Sequence, residues 1–214
     1  MKDDQHPRIT LHGTERSGHA HRVVLLLRML AIPYRFVSAP VEIRRSDEFL
    51  RLNPLGQIPV LEDGPVVICD SNAILVYLAG RYARGSQWLP EEPLAAARMQ
   101  RWLSIAAGEM KHGPALARLI AQWGEPGDRD SAAHTAVRLF RFMEGHLADR
   151  AYLAADHATI ADLACYSYTA HAPEGGISLQ PYRALRAWLA RVEALPRFEP
   201  MPRSPLPPEI PLSG

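Results

Sequence analysis

The pair Asp70-Ser71 stands where the chain could bind an anion. The helical spacing of Ala73, Ile74 and Leu78 predicts that Asp70 or Ser71 is the N-cap of a helix. The first N–H groups of a helix have no partner within the helix, and the helix dipole favours negative charge there. A carboxylate could therefore bind beside Ser71, although the same pattern is also that of a plain helix cap.

A second candidate lies in the apolar segment 58–61, which contains Pro59. Proline has no N–H, so it fits the beginning or the edge of a strand rather than its centre. The backbone of Ile58 would then be free to pair with an extended peptide whose carboxylate binds at Ser71. The alternative is that Pro59 is an ordinary edge-strand proline.

The loop Glu15-Arg16-Ser17-Gly18-His19 precedes a segment rich in Val and Leu. Ser17 should lie close to the N-terminus of a helix there, and Gly18 permits a close approach of the backbone. Taken alone, Ser17 is also well suited simply to cap that helix. No cysteine occupies the loop, which argues against disulfide exchange through a protein thiol.

The elements that would position these residues begin with the order strand, helix, strand. Strands are predicted at 9–12 and 34–37, with a helix at 20–31 between them. This connection implies that the two strands are parallel. Ser46 should start a short helical turn that the pair Asn53-Pro54 stops.

A hairpin follows, in which strands 58–61 and 66–68 are joined at Asp63-Gly64. We predict a type I′ turn there, because this turn needs positive φ at both central residues and Asp-Gly is typical of it. The helix that begins at Asp70 or Ser71 completes a βαβ-α-ββα order. The N-terminal domain is therefore predicted to be α/β and to resemble a thioredoxin-like domain.

An all-α domain is predicted to follow. A bent or broken helix is expected over 94–123, because Pro114 falls within it. Further helices are expected over 131–147 and 182–195. The predicted boundaries are 1–84 for the thioredoxin-like domain, 85–93 for a linker, and 94–214 for an all-helical C-terminal domain that ends in a proline-rich tail.

Residues 53–78 carry an ordered pattern: Asn-Pro-x-Gly-Gln-Ile-Pro-Val-Leu, then Asp-Gly, then Asp-Ser-Asn-Ala-Ile-x-x-Tyr-Leu. This pattern resembles the glutathione-binding half of a glutathione transferase, and Ser17 is similar to the serine of the bacterial cytosolic, serine-type members. The capping box of Thr159 and Asp162 resembles the motif that opens a buried helix in the second domain of that family. The resemblance implies a cis peptide bond before Pro59 and a homodimer.

The resemblance also implies roles in binding glutathione. Ser17 would donate a hydrogen bond to the glutathione sulfur, with Thr14 in the same loop as another candidate. The resemblance implies that Gln57 contacts the glycyl end of glutathione and that the backbone of Ile58, beside the cis Pro59, pairs with the cysteinyl residue. Asp70 would contact the γ-glutamyl amine, and Ser71 would bind the neighbouring carboxylate.

His19 stands where the family pattern has Asn. It could donate a hydrogen bond to glutathione, or it could titrate and make activity depend on pH. Arg16 or Arg44 could contribute positive charge to the site, and spacing does not decide between them.

Thiol activation sets the energetic demand on this site. A free thiol has a pKa of about 8.5, and only the thiolate is a good nucleophile. Lowering that pKa by about two units requires about 2.7 kcal/mol of preferential stabilisation of the thiolate. A hydroxyl donor, the first-turn N–H groups and the helix dipole could supply it. Ser17 would then be neither nucleophile nor base.

The second substrate implied by the resemblance is a small, electrophilic and partly apolar molecule. Its pocket would lie between the Ser17 loop and the segment 102–112. Trp102, Ile105, Met110 and His112 are the candidates to line it. The alternative is that Trp102 and Met110 only pack between helices.

Two classes of function remain open at this stage. The first is a glutathione transferase that activates the thiolate for attack on the electrophile, in detoxification, with a peroxidase or disulfide reductase as a close variant. The second is a binding or regulatory protein that kept the fold and lost the chemistry. The retention of Ser17, Pro59 and Ser71 favours the enzyme.

Composition argues against several other classes. The net charge of +1, with acids and bases interspersed, gives no nucleic-acid footprint. The longest apolar run, 23–27, is too short to span a membrane, and the segment 1–5 does not have the pattern of a signal peptide. The histidines form no metal-binding motif, so no metal is expected. Cys69 and Cys165 are interpreted as free thiols, which favours the cytoplasm.

Overall fold

The computed structural model of the chain describes residues 8–210. The predictions for segment 1–5 and for the last residues of the proline-rich tail, 211–214, fall outside the described residues. The first half has the predicted thioredoxin-like order, with one additional short helix. Its elements are β1 (Ile9–Gly13), α1 (Gly18–Met29), β2 (Tyr34–Ser38), α2 (Val41–Arg44), α3 (Asp47–Leu52), β3 (Val60–Asp63), β4 (Val66–Cys69) and α4 (Ser71–Tyr82).

The four strands form one mixed sheet in the order β2-β1-β3-β4. β1 and β2 are parallel, as predicted, because α1 crosses between them. β3 is antiparallel to both of its neighbours, and Val60 lies opposite His12 on one side and Cys69 on the other. The end of β1, the start of β3 and the end of β4 therefore meet at one end of the sheet. The three candidate segments all leave the sheet there.

The turn between β3 and β4 differs from the type I′ prediction. Asp63 pairs directly with Val66, so the central residues of the turn are Gly64 and Pro65. Gly64 has φ of +60°, whereas the proline ring restricts φ to about −65°. The type I′ prediction is therefore wrong, and glycine at the first central position is what a type II′ turn requires.

The second half of the described chain is helical. α5 and α6 are separated, as predicted, by a π-helical turn at Lys111–Ala115 that contains Pro114. Proline interrupts the regular ladder there because it lacks an N–H. The helices are α5 (Pro93–Ala107), α6 (Leu116–Trp123), α7 (Arg129–Leu147), α8 (Ile160–Ala170) and α9 (Arg183–Glu193), with a 3₁₀ turn at Ala172–Gly175.

α8 is the central helix of the molecule and begins with the predicted capping box. The Thr159 hydroxyl accepts the N–H of Ala161, and the Asp162 carboxylate accepts the N–H of Thr159. The helix is buried along almost its whole length and packs against α1, α4, α5 and α9. The indole N–H of Trp188 on α9 donates to Asp162 at 2.9 Å. The buried carboxylate is thus fully engaged in hydrogen bonds.

The tail after α9 packs against both halves of the fold. The carbonyl of Glu199 accepts a hydrogen bond from Nε2 of His21 on α1 at 2.8 Å, and its carboxylate pairs with Arg28 of the same helix. Further along, the N–H of Ile210 donates to the carbonyl of Gly176 at 2.9 Å. The tail therefore connects α1 with the segment that follows α8.

Candidate functional site

Ser17 is the N-cap of α1. Its Oγ accepts the N–H of Ala20 at 3.2 Å, and its own N–H donates to the carbonyl of Thr14 at 3.0 Å. A serine hydroxyl also carries one proton to donate, so capping leaves the Ser17 O–H available to a ligand. A Cβ added to Gly18 would lie 2.8 Å from the ring of Tyr168. Glycine is therefore required where the loop meets α8.

Asp70 is the N-cap of α4, which settles the choice between Asp70 and Ser71. Its Oδ1 accepts the N–H groups of Asn72 at 2.9 Å and Ala73 at 3.0 Å. Asp70 has φ of +74° and ψ of 126°, which lies outside the left-handed helical region and is strained for a residue with a Cβ. The residue is exposed, and its Oδ2 makes no hydrogen bond within residues 8–210. An unpaired carboxylate oxygen is therefore presented to solvent beside Ser71.

The Ile58–Pro59 peptide bond is cis, as the resemblance implied. In the described part of the chain, neither the N–H nor the carbonyl of Ile58 takes part in a backbone hydrogen bond. Gln57 is exposed, and its backbone carbonyl accepts a hydrogen bond from Nδ2 of Asn53 at 2.8 Å. This contact anchors the turn and leaves the Ile58 backbone open to an extended partner.

Hydrogen bonds join the N-terminal ends of α1 and α4. Oγ of Ser71 lies 3.3 Å from Nδ1 of His19. Nη1 of Arg22 donates to the same oxygen at 3.2 Å and to Oδ1 of Asn72 at 2.9 Å. The structure thus brings the helix that begins after Ser17 and the helix that begins after Asp70 to a common point.

His19 is held in its neutral form. Burial lowers the pKa of its imidazole to about 3, and the positive charges of Arg22 and Lys111 act in the same direction. Its ring packs edge-on against Tyr168, with the ring centroids 4.9 Å apart. The alternative in which His19 titrates near neutral pH is therefore disfavoured, and a role as a neutral hydrogen-bonding partner of Ser71 remains.

Arg118 holds the Ser17 loop from the helical half of the molecule. Its Nη1 donates to the carbonyl of Arg16 at 2.9 Å, and its Nε donates to Oε2 of Glu174 at 2.6 Å. Oε1 of Glu174 accepts the N–H of Ser204, in the tail, at 2.9 Å. The backbone immediately before Ser17 is therefore fixed by a buried ion pair.

Neither Arg22 nor Arg118 could be predicted from the sequence. Each is an arginine within a helix, a residue type that is mostly exposed, yet each is 1% exposed here. Their partners are distant in sequence, so no local spacing reveals them. The arginines named from sequence behave differently: Arg16 is exposed and contributes its carbonyl, and Arg44 is half-buried on α2.

The residues predicted to line the second-substrate pocket divide into two groups. Trp102 is 2% exposed and Met110 is fully buried. The Met110 sulfur lies 3.7 Å from Oγ1 of Thr169 on α8. This burial favours the alternative in which Trp102 and Met110 pack between helices. Ile105 is half-buried, and His112 is exposed on the π-helical turn.

Other kinds of site find little support. Within residues 8–210, no group of three His, Cys, Asp or Glu side chains is close enough to hold a metal ion. No helix of that part of the chain is long and apolar enough to cross a membrane. Burial raises the pKa of the Cys165 thiol to about 12, so this cysteine is a poor nucleophile.

Comparison with known proteins gives concordant results. The model of the glutathione S-transferase N-terminal domain matches residues 11–88, and that of the C-terminal domain matches residues 115–196. Glutathione S-transferase 3 of Zea mays is 31% identical over 218 residues, which cover 94% of this chain and 96% of that protein.

Solved structures of similar proteins have the same fold. A possible glutathione S-transferase from Rhodopseudomonas palustris is 31% identical and has a TM-score of 0.84, with 92% of this chain and 99% of that chain covered. A glutathione transferase homologue from Drosophila mojavensis, solved with bound glutathione, is 28% identical and has a TM-score of 0.77, with 88% of each chain covered.

Proposed function

Because the chain belongs to the glutathione S-transferase family, we propose that Ser17 activates bound glutathione for transfer to an electrophilic, partly apolar substrate. One observation carries this proposal. The Ser17 hydroxyl caps α1 by accepting a hydrogen bond, so its proton remains available, and it lies on the same helix end that His19 and Arg22 connect to Ser71.

Glutathione would bind as an extended peptide across the end of the sheet. Its cysteinyl backbone would pair with the unbonded N–H and carbonyl of Ile58, and the side chain of Gln57 would reach the glycyl end. The γ-glutamyl carboxylate would bind the hydroxyl and the backbone N–H of Ser71, at the helix end where the dipole favours negative charge. Its amine would face Oδ2 of Asp70. The amine and the carboxylate of the γ-glutamyl residue would thus bind Asp70 and Ser71, which are neighbours at the N-terminal end of α4.

The thiol of this bound peptide would lie at Ser17. The Ser17 O–H donates to the developing thiolate, and the N-terminal end of α1 adds its positive partial charge. Together they must supply about 2.7 kcal/mol to lower the thiol pKa by about two units. His19 is neutral and adds no charge. The thiolate then attacks the electrophile, and Ser17 transfers no proton in that step.

The electrophile would enter between the Ser17 loop and the π-helical turn that carries His112. Trp102 and Met110 would pack beneath the residues that line this entrance and would not touch the substrate. We infer a role in detoxification, with the particular electrophile to be found by screening aryl halides, epoxides and conjugated carbonyl compounds.

The test is the thiol pKa of bound glutathione, measured by ultraviolet difference titration of the thiolate. In the wild-type protein we expect a pKa well below that of free glutathione. Ser17→Ala should raise it by about one to two units while glutathione affinity changes little, because the hydroxyl acts on the ionised form. Thr14→Val is the matched control, since it removes the other hydroxyl of the loop.

Each alternative gives a different result in the same experiment. Saturable binding with an unshifted pKa in the wild-type protein would contradict the transferase and indicate a glutathione-binding protein. A shift that disappears in Thr14→Val rather than in Ser17→Ala would move the role to Thr14. A lowered pKa with turnover of a peroxide or mixed disulfide, but of no electrophile, would indicate the peroxidase or reductase variant.

We further propose a homodimer in the cytoplasm. Val66 and Val67 on the edge strand β4 are 38% and 42% exposed, which leaves apolar side chains at an unpaired sheet edge. Cys69 and Cys165 are free thiols, as is usual in a reducing compartment. Light scattering of the purified full chain measures its mass and would contradict the dimer by finding a monomer.

A further inference from the structure

Arg22 is a buried cation with an unusual set of partners. It is 1% exposed, and its Nη1 donates to Ser71 and Asn72 at the start of α4. Its Nε and Nη2 are buried and have no hydrogen-bond partner among residues 8–210. The guanidinium carbon lies 5.9 Å from the ring centroid of Tyr168, which offers only a neutral aromatic face.

Arg118 provides an internal comparison. It is also 1% exposed, but its Nε meets the carboxylate of Glu174 at 2.6 Å. Arg22 forms no ion pair with any carboxylate in the described part of the chain. Burial lowers the pKa of Arg22, and the Asp70 carboxylate opposes this only weakly, being exposed and engaged in capping α4. A buried charge without a counter-charge destabilises a folded protein. Arg118 has such a counter-charge in Glu174, whereas Arg22 has none among residues 8–210.

The hydrogen bonds of Arg22 show where a ligand could supply a negative counter-charge. Its two acceptors are the side chains of the first two residues of α4. The Asp70 cap takes the N–H groups of Asn72 and Ala73 and leaves that of Ser71 to an anion. Arg22 is too buried to touch a ligand itself. It can act only through Ser71 and Asn72, by orienting their side chains and by placing positive charge behind them.

We propose that Arg22 is a positioning residue whose buried charge is compensated by the γ-glutamyl carboxylate of bound glutathione, so that it raises ligand affinity at the expense of the free protein. The proposal rests on the glutathione site proposed above and deepens it. Arg22 makes the start of α4 selective for a ligand that carries a carboxylate next to its amine, and it turns ligand binding into a large stabilisation of the fold.

Thermal unfolding and titration calorimetry on the full chain test this proposal, with wild type, Arg22→Met and Arg22→Lys compared with and without glutathione. Without ligand, Arg22→Met should unfold at the same or a higher temperature than wild type, because it removes an uncompensated charge and keeps most of the volume. Its glutathione Kd should rise at least about tenfold, which corresponds to about 1.4 kcal/mol. Arg22→Lys should recover part of that affinity, since it keeps the charge.

A second ligand tests which group of glutathione depends on Arg22 for its affinity. The tripeptide 4-aminobutyryl-Cys-Gly keeps the amine and the thiol but lacks the γ-glutamyl carboxylate. It should bind wild type and Arg22→Met with the same Kd. If Arg22→Met weakened it as much as it weakens glutathione, the carboxylate would not be the compensating group, and the proposal would be overturned.

Failure of this inference is distinguishable from failure of the proposed function. A wild-type protein that does not bind glutathione contradicts the proposed function. Wild-type binding together with an unchanged Kd in Arg22→Met contradicts only the inference. An Arg22→Met protein that is clearly less stable than wild type without ligand, or that does not fold, shows an ordinary structural arginine and contradicts the inference as well. Arg118→Met removes the counter-charge of Glu174 and should therefore lower the unfolding temperature. Its loss of stability is the reference against which that of Arg22→Met is compared.

Discussion

We propose two roles for the Asp70 carboxylate, capping of α4 and binding of the glutathione amine. Oδ1 caps α4 through two backbone N–H groups, whereas Oδ2 is unpaired within residues 8–210 and lies beside Ser71. The φ of +74° restricts replacements, because most side chains are strained in this region. Substitutions at Asp70 therefore affect stability and binding together unless they are chosen to separate the two tasks.

Asp70→Asn separates them. Asparagine caps helices about as well as aspartate and has nearly the same size and shape, so stability should be nearly unchanged. The loss of the negative charge should weaken glutathione binding by roughly five- to tenfold, which is about 1 to 1.4 kcal/mol. Asp70→Ala should lose the same affinity and also about 1 kcal/mol of stability, because it removes the cap.

Urea denaturation and calorimetry of the two variants give the required numbers. If Asp70→Asn bound glutathione as tightly as wild type, the carboxylate would have no part in the site and would serve only as a cap. If both variants lost stability equally, the strained backbone rather than the hydrogen bonds would govern this position.

The neutral ring of His21 holds α1 to α8 and to the tail. Nδ1 of His21 lies 2.9 Å from the Ser167 hydroxyl, and Nε2 donates to the carbonyl of Glu199 at 2.8 Å. Burial lowers the pKa of His21 to about 3, with further contributions from the positive charges of His171 and Arg22. The unfolded chain therefore binds a proton at this residue at a pH where the folded protein does not.

The consequence is a loss of stability in acid. Because the folded-state pKa is lowered, the contribution of His21 is complete above its ordinary pKa of 6.5 and declines as the pH falls toward about 3. Between about pH 6 and pH 4, it should add up to about 1.4 kcal/mol per pH unit to the slope of unfolding free energy. His21→Gln can keep the donor to Glu199 and does not titrate. Denaturant titrations at several pH values should show a shallower slope in this variant, and an equal slope would contradict the assignment.

The predictable part of the fold was the part with local signals. The capping box of Thr159 and Asp162, the parallel pair β1 and β2, and the break at Pro114 depend on residues close in sequence or on element order, and the structure has all three. The turn at Gly64 was mispredicted because the ring of Pro65 overrides the preference of the Asp-Gly pair.

The site was predictable where the family resemblance supplied an ordered motif, and not where the contacts are long-range. Ser71 could be named from its place at a helix start, but its contact with Arg22 spans 49 positions of sequence. The contact of Arg118 with Arg16 spans 102 positions. Packing of α1 on α4 within the first half creates the contact of Arg22, and packing of the two halves creates that of Arg118, so no spacing rule could have indicated them.

The buried pair Arg118–Glu174 connects the Ser17 loop, the turn after α8 and the tail. Burial alone would raise the pKa of Glu174, but the N–H of Ser204 and the side chains of His171 and Arg118 together lower it. This contribution to stability is therefore present at neutral pH and is lost as the pH falls below the ordinary glutamate value. Breaking the pair at pH 7 by Glu174→Gln should cost about 3 to 5 kcal/mol, because it leaves Arg118 without its counter-charge.

A double variant separates stability from the positioning of Ser17. Arg118→Met together with Glu174→Leu removes both charges, so no unpaired ion remains, and it should be more stable than either single variant. It nevertheless lacks the donor that holds the Arg16 carbonyl, so the loop before Ser17 loses its anchor. We therefore expect a folded protein in which the thiol pKa of bound glutathione moves back toward the free value. If the double variant kept the wild-type thiol pKa, α1 alone would position Ser17, and the helical half would contribute to the fold without acting on the thiol.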